Sequence, residues 1–172
     1  MAIDIQTPIS DEVIAALRVG DMVTITGYIY AGRDRALPKL VRMIEDGEIE
    51  NSDIQLQGSV VFHTAVSPAG VGPTSSNKVE IESSFRTLSK EGVKLYLGKG
   101  EISEITIAFL EENNAVYAVI PPVTALLRNK ILEQKVVAFP EEGMEALHVL
   151  KVLKIPAIIA VAHGLTIRED NN

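Results

Sequence analysis

Short β-branched runs alternate with helical stripes of apolar residues along most of the chain. The runs predict strands, because valine, isoleucine, threonine and aromatic residues favour extended backbone. They cover residues 22–29, 59–62, 94–97, 115–120, 136–139, 149–153 and 157–162, with Pro156 separating the last two. Apolar residues at i, i+3, i+4 and i+7 predict helices. They mark helices over 37–44, 81–88 and 102–110, and we also expect a helix over 123–131 and a short one over 142–147.

This alternation predicts an α/β domain. Some strands follow one another without a helix between them, so we expect a mixed sheet rather than a purely parallel one. The length of 172 residues is typical of one domain. We therefore predict a single domain over residues 1–168 and a flexible acidic-polar tail over 169–172.

Composition excludes several classes of function. Sixteen basic residues against 23 acidic ones give a net charge of −7, which argues against nucleic-acid and anionic-membrane partners. No apolar stretch approaches the ~20 residues of a membrane span. The chain has no cysteine, so it can form no disulfide and ligate no iron–sulfur cluster through thiolates. With no signal-like N-terminus, we expect a cytoplasmic location.

Three glycine-containing loops each follow a predicted strand and precede a predicted helix. In an open α/β sheet such loops lie beyond the carboxyl ends of the strands, where ligands bind. Each loop also carries a cation. The glycines are Gly32, Gly70, Gly72, Gly98 and Gly100, and the cations are Arg33, Lys78 and Lys99.

The chemistry that these loops favour is anion recognition. Glycine lets backbone N–H groups approach a ligand closely, and arginine and lysine bind carboxylates. Two alternatives stay open: each loop is also typical of a turn with a solvated charge, and the hydroxyls of residues 74–76 are also typical of a helix cap. Nucleotide motifs fail on spacing, because Gly92 to Lys99 is one residue too long for a P-loop and Gly70-x-Gly72 lacks a third glycine.

The remaining polar residues carry little catalytic signal. His63, His148 and His163 lie in apolar, strand-like surroundings and are interpreted as structural, without metal-ligand spacing. No serine–histidine–aspartate set or catalytic carboxylate pair stands out. The acidic pairs at 111–112 and 141–142 are interpreted as solvated helix ends. We expect no metal ligand in this chain.

Ordered motifs across nearly the whole chain resemble one family. The chain is similar to the β subunit of two-subunit class I, iron–sulfur fumarate hydratases, to the C-terminal part of the single-chain enzymes, and to the L(+)-tartrate dehydratase β subunit. The motifs are Thr7-Pro8, Leu17-x-Val19-Gly20-Asp21, Thr24-Ile25-Thr26-Gly27, Ala31-Gly32-Arg33-Asp34, Gly72-Pro73-Thr74-Ser75, Gly98-Lys99-Gly100, Phe139-Pro140-Glu141-x-Gly143-Met144-Glu145-Ala146 and Pro156-Ala157-Ile158.

The resemblance implies a swivelling β/β/α domain docked on an α subunit that holds a four-iron four-sulfur cluster. It implies hydration of fumarate to L-malate, with this subunit inactive alone and prone to associate with itself. The family pattern places Arg33, Thr74, Ser75, Lys78 and Lys99 at the dicarboxylate. Arg33 and Lys99 would bind carboxylates and Thr74 would take part in proton transfer, with Thr74 and Lys99 as the catalytic pair. Lys78 departs from the family, where arginine is more typical.

Two further functions stay open from the sequence. The first is L(+)-tartrate dehydratase, whose substrate carries a second hydroxyl. The second is a non-catalytic module that binds anions or serves assembly.

Overall fold

The fold is known from a computed structural model that describes residues 2–67, 70–71, 78–120 and 129–167, with the backbone alone at 67, 70–71 and 78–81. The strands in these ranges are β1 (Ile3–Gln6), β2 (Met22–Gly32), β3 (Val60–His63), β4 (Val66–Ser67), β5 (Gly70–Val71), β6 (Leu95–Gly98), β7 (Val116–Val119), β8 (Ile131–Ala138), β9 (Leu147–Ala162) and β10 (Leu165–Thr166). The helices are α1 (Asp11–Ala16), α2 (Leu37–Glu45), α3 (Lys78–Lys90) and α4 (Glu104–Glu112), with 3-10 turns at Glu48–Asn51 and Pro140–Glu145. None of the helices in these ranges has the length and apolar character needed to cross a bilayer.

The main sheet is mixed, as predicted. Strands β1, β2, β3, β6 and β7 pair in parallel in that order. Strand β9 runs antiparallel to both β2 and β7, so the pairings from β2 through β3, β6, β7 and β9 return to β2 in a closed circuit. Strand β8 pairs with the first half of β9, and β7 pairs with the second half.

The sequence prediction of two strands separated at Pro156 is wrong, because residues 147–162 form the single strand β9. Pro156 lies opposite Thr24 in the ladder with β2. A bulge just before it absorbs the irregularity: Lys154 has φ +54° and donates its backbone N–H to the hydroxyl of Thr26 at 3.0 Å. Proline is tolerated beside such bulges, since the regular ladder is already interrupted there.

Other elements also differ from the sequence prediction. Residues 121–128 lie outside the described ranges, and Ile131 belongs to β8 rather than to a helix. Leu147 opens β9, and the short helix expected over 142–147 is the 3-10 turn before it. Strand β1 and helix α1 were not predicted, because runs of four and six residues carry too little periodicity.

Side chains of the sheet alternate between two apolar clusters. In β3, Val60 and Phe62 face the interior of the closed circuit, while Val61 faces the helices. Leu40 of α2, Phe85 of α3 and further apolar residues of the helices pack on that outer face. Period-two alternation with both faces buried gives a layer of helices on a sheet that folds around its own core.

The direction of the strands determines where the loops lie. Because β2, β3, β6 and β7 are parallel, their carboxyl ends share one edge of the sheet. In register, Gly32 pairs with His63 and Gly98 pairs with Val119. The loops carrying Arg33 and Lys99 therefore leave the sheet at the same edge, as the sequence predicts.

Candidate functional site

The first loop at this edge turns directly from β2 into α2. The carbonyl oxygen of Arg33 accepts hydrogen bonds from the backbone N–H groups of Ala36 and Leu37, at 3.0 and 2.9 Å. Gly32 relieves tight packing: a Cβ atom there would lie 3.0 Å from Ala36 Cβ and 3.2 Å from Leu147 Cδ1. The glycine lets the turn lie flat on β9 and places Arg33 at the rim.

Arg33 is paired with a carboxylate from the far end of the chain. Its Nε–H donates to Oε1 of Glu145, and about a quarter of each side chain is exposed. The Arg33 side chain forms no other hydrogen bond within the described residues. Arg33 is thus held at Nε, and no described residue binds its terminal N–H groups.

The segment that carries Glu145 is anchored to α2. The ammonium of Lys39 lies 2.9 Å from a carboxylate oxygen of Glu141 and 2.8 Å from one of Glu142, and 5.5 Å from the centre of the Phe139 ring. Hydrogen bonds to Glu142 and Glu141 raise the pKa of Lys39. The hydrogen bond from Lys39 lowers the pKa of Glu141. The interpretation of this acidic pair as solvated is therefore incomplete: Glu141 is exposed, but both carboxylates also bind one lysine.

The third loop presents Lys99 on a turn that β7 supports. The Tyr117 hydroxyl donates to the carbonyl oxygen of Gly100 at 3.0 Å. Burial, with a smaller effect from the charge of Glu82, raises the pKa of Tyr117, so the hydroxyl stays a donor. A Cβ atom at position 98 would lie only 3.0 Å from that hydroxyl oxygen, so glycine allows the close approach without displacing the ring.

Lys99 itself is exposed, and its ammonium makes no ion pair with any residue of the described ranges. Its loop and the Arg33 loop follow strands on either side of β3. At about 4.8 Å between neighbouring strands, the two loops start roughly 10 Å apart. Two long basic side chains can converge on one small anion across that distance.

The remaining predicted site residues lie in or beside the middle loop. Thr74 and Ser75 lie outside the described residues, and α3 begins at Lys78, whose backbone alone is described. Just beyond the end of α3, Gly92 accepts a hydrogen bond from Gly58 at the opposite edge of the sheet. Thirteen helical residues span about 20 Å, so the helix runs back across the sheet and starts at the carboxyl edge. Lys78 therefore shares this edge with Arg33 and Lys99.

Two of the three histidines bind backbone groups, as expected for structural residues. A ring nitrogen of His148 lies 2.9 Å from the Ala146 carbonyl oxygen, and one of His163 lies 2.8 Å from that of Leu17. His63 is buried at the site edge, with Nε2 3.7 Å from a carboxylate oxygen of Asp34. In the described part of the chain, no three histidine or acidic side chains are grouped to hold a metal ion.

Sequence reasoning missed two residues of this arrangement, Glu145 and Tyr117. Glu145 stands in a motif that carried the family resemblance, which was the available signal, but its contact with Arg33 spans 112 residues. Tyr117 reads as an ordinary strand aromatic, and nothing in its neighbourhood indicates the bond to Gly100.

Comparison with known proteins agrees with the family resemblance of the sequence motifs. A sequence model of the family described as "Fumarase C-terminus" matches residues 1–167. A putative class I fumarate hydratase of Geobacillus stearothermophilus is 30% identical over 181 residues, which cover 98% of this chain and 34% of that protein. The chain thus spans about a third of that relative's length.

Relatives of similar length carry a different name. A putative L(+)-tartrate dehydratase subunit beta of Methanocaldococcus jannaschii is 30% identical over 174 residues, covering 92% of this chain and 87% of its own. The L(+)-tartrate dehydratase subunit beta of Escherichia coli strain K12 is 30% identical over 182 residues, covering 96% and 86%. With the family match over nearly its whole length, the chain belongs to the fumarase C-terminus family.

Proposed function

We propose that this chain is the β-type subunit of a hydro-lyase that interconverts fumarate and L-malate. The observation that carries the proposal is the placement of Arg33 and Lys99 on two loops at one edge of the parallel strands. A dicarboxylate offers two anionic groups to such a pair of cations. The name of the Geobacillus relative supports the choice of substrate.

The chain's own donors do not fit an iron–sulfur cluster. It has no cysteine, and its described histidine and acidic side chains form no group suited to a metal ion. A class I enzyme of this kind would therefore need a partner α subunit to hold a four-iron four-sulfur cluster. The "subunit beta" names of the tartrate dehydratase relatives support such a division between two chains. The swivelling of this domain against its partner is part of the same proposal.

The role of this chain is to bind the carboxylates and stabilise charge. Hydration adds hydroxyl to one alkene carbon and a proton to the other, so negative charge develops on the carboxylate next to the protonated carbon. Lys99 and Arg33, already oriented by the fold, would stabilise that charge without reorganisation. Arg33 can bind a carboxylate through two parallel N–H bonds.

Three residues of the middle loop complete the proposed site. Thr74 would move the proton, which requires neighbouring cations to favour its deprotonated form. Ser75 and Lys78 would bind the substrate beside it. The position of Lys78 at the start of α3 supports its share in this role.

L(+)-tartrate is the second candidate substrate. Relatives with that name match the chain at the same identity, and the alignments cover 86–87% of their length. Loss of water from tartrate needs the same two carboxylate contacts and differs in one additional hydroxyl. The cations described above would serve either reaction.

The test is to co-express the chain with a cysteine-bearing candidate partner, sought in the neighbouring reading frames, and to purify the complex without oxygen. Hydration of fumarate and dehydration of L-malate and of both tartrate enantiomers are then measured as kcat/KM. We expect the highest kcat/KM with fumarate and L-malate. Preference for L(+)-tartrate would select the second candidate, and binding without turnover of any of them would favour a non-catalytic module.

A further inference from the structure

We propose that Glu145 is a positioning residue that holds Arg33 by Nε and leaves the terminal edge of its guanidinium free for a carboxylate. This inference rests on the proposed function, because it assigns a ligand to that free edge. It adds a residue from the other end of the chain to the site.

The argument starts from the donors of arginine. A guanidinium has five N–H groups in a rigid, planar fork, so fixing one nitrogen also limits the direction of the others. Glu145 binds Arg33 at Nε, the nitrogen nearest the backbone. The terminal Nη1–Nη2 edge makes no hydrogen bond with the described residues, and it is the edge that can bind a carboxylate bidentately.

Glu145 can act in this way because its backbone is held in place. Ala146, the next residue, is buried and donates its N–H to the Gly143 carbonyl oxygen at 3.0 Å. Leu147 follows in β9, where it pairs with Ala138. On the other side, Glu141 and Glu142 bind Lys39 of α2. A glutamate on so constrained a turn loses little entropy when it binds Arg33, unlike one on a mobile surface segment.

The pair is also placed to be accessible. About a quarter of each side chain is exposed, so a ligand at the sheet edge can reach the guanidinium. The contact between Glu145 and Arg33 joins the β8–β9 connection to the loop after β2. Geometry and charge are the two ways in which Glu145 could affect Arg33, and they predict opposite effects of two conservative substitutions.

The experiment compares Glu145→Gln, Glu145→Asp and Glu145→Ala in the purified complex with its cluster-bearing partner. Glutamine keeps the acceptor oxygen in place and removes the charge, whereas aspartate keeps the charge and withdraws the acceptor by one methylene. A positioning role predicts that the Glu145→Gln variant has a KM for fumarate and L-malate close to that of wild type. Asp and Ala should raise KM about tenfold, as expected when a misaligned Arg33 loses one charge-assisted hydrogen bond to the substrate carboxylate, with a much smaller change in kcat.

A control variant and a second readout keep the test decisive. Glu48→Ala removes an exposed glutamate from the other 3-10 turn and should leave KM unchanged. In the ¹⁵N-labelled chain without partner, the Nε–H signal of Arg33, assigned by its loss in Arg33→Lys, should be protected from exchange in wild type and Gln, and unprotected in Ala.

The outcomes separate this inference from the proposed function. Aspartate performing better than glutamine, or an alanine variant with wild-type KM, would overturn the positioning role. An exchange-labile Arg33 Nε–H signal in wild type would overturn it too. If the wild-type complex turns over no dicarboxylate, the proposed function fails, while the protection pattern of the Nε–H signal still decides the role of Glu145.

Discussion

The Tyr117 hydroxyl donates a hydrogen bond to the carbonyl oxygen of Gly100 at 3.0 Å, which ties the turn presenting Lys99 to the neighbouring strand. The ring fits because residue 98 has no side chain. Tyr117, a buried aromatic residue of β7, therefore helps to fix the position of Lys99, the exposed residue just before Gly100.

Removing this hydroxyl should loosen the turn. We expect Tyr117→Phe to lower the free energy of unfolding by about 1 kcal/mol, the net contribution of one hydrogen bond. In a domain of this size the melting temperature should fall by roughly 2–4 °C. The activation free energy for turnover by the complex should change by more than the free energy of unfolding, because the position of Lys99 is affected. The control is Tyr28→Phe, because Tyr28 is exposed, and it should leave both quantities unchanged.

Lys99→Ala should affect turnover more than folding. The side chain is exposed and makes no ion pair with described residues, so the free energy of unfolding should change by no more than about 0.5 kcal/mol. Losing a preorganised charge beside the developing anion should cost about 3 kcal/mol of barrier, or roughly 100-fold in kcat. Steady-state kinetics of the complex measure this. Lys90→Ala, an exposed lysine at the far end of α3, is the matched control.

Near-normal activity of the Lys99→Ala complex would show that residues 98–100 are an ordinary turn without a role in turnover. A large fall in melting temperature would instead indicate a structural role for the lysine.

Lys78 is the first residue of α3, and substitutions there test whether its side chain contacts substrate. If Lys78 contacts substrate, Lys78→Ala should raise KM for dicarboxylates while the melting temperature stays nearly constant. Lys78→Arg should retain much more activity, because arginine can bind the same carboxylate through two N–H groups. The measurement is kcat/KM of both variants with fumarate, L-malate and tartrate. Wild-type values for both would place Lys78 on a solvated helix face and remove it from the site.

The lysine that anchors the 140–145 turn should give a pH-dependent contribution to stability. The pKa of Glu141 lies below its ordinary 4.5, so its pairing with Lys39 stabilises the fold above that pH and is lost as pH falls through the lowered pKa. The pKa of Lys39 lies above its ordinary 10.5, so the contribution persists through neutral pH and is lost only as pH rises through the raised value. The melting-temperature difference between wild type and Lys39→Met should therefore be present at pH 7 and shrink at pH 3. A difference that is the same at both values would contradict the ion pair.

The sequence was sufficient to predict that the loops carrying Arg33 and Lys99 lie at one edge of the sheet. Strand–loop–helix order with glycine and a cation in each loop places Arg33 and Lys99 correctly, because parallel strands must end at one edge. Local periodicity likewise predicted β2 and α2 closely. These features depend on residues near one another in the chain.

Long-range contacts were beyond such reasoning. The ladder between β2 and β9 closes the sheet and carries the chain through Pro156, where local rules predict a break. The pairing of Arg33 with Glu145 depends on that closure, since β9 brings the end of the 3-10 turn beside Gly32. No spacing in the sequence indicates either contact.

The most direct test of the account is to titrate this chain into a fixed amount of the proposed cluster-bearing partner and to measure anaerobic hydration of fumarate. We predict no turnover by the iron-free chain alone, and activity that rises with added chain until the partner is saturated. The chain with Arg33→Ala and Lys99→Ala together should bind the partner equally well and restore almost none of that activity. Turnover by the iron-free chain alone, or full activity restored by the double variant, would contradict the account.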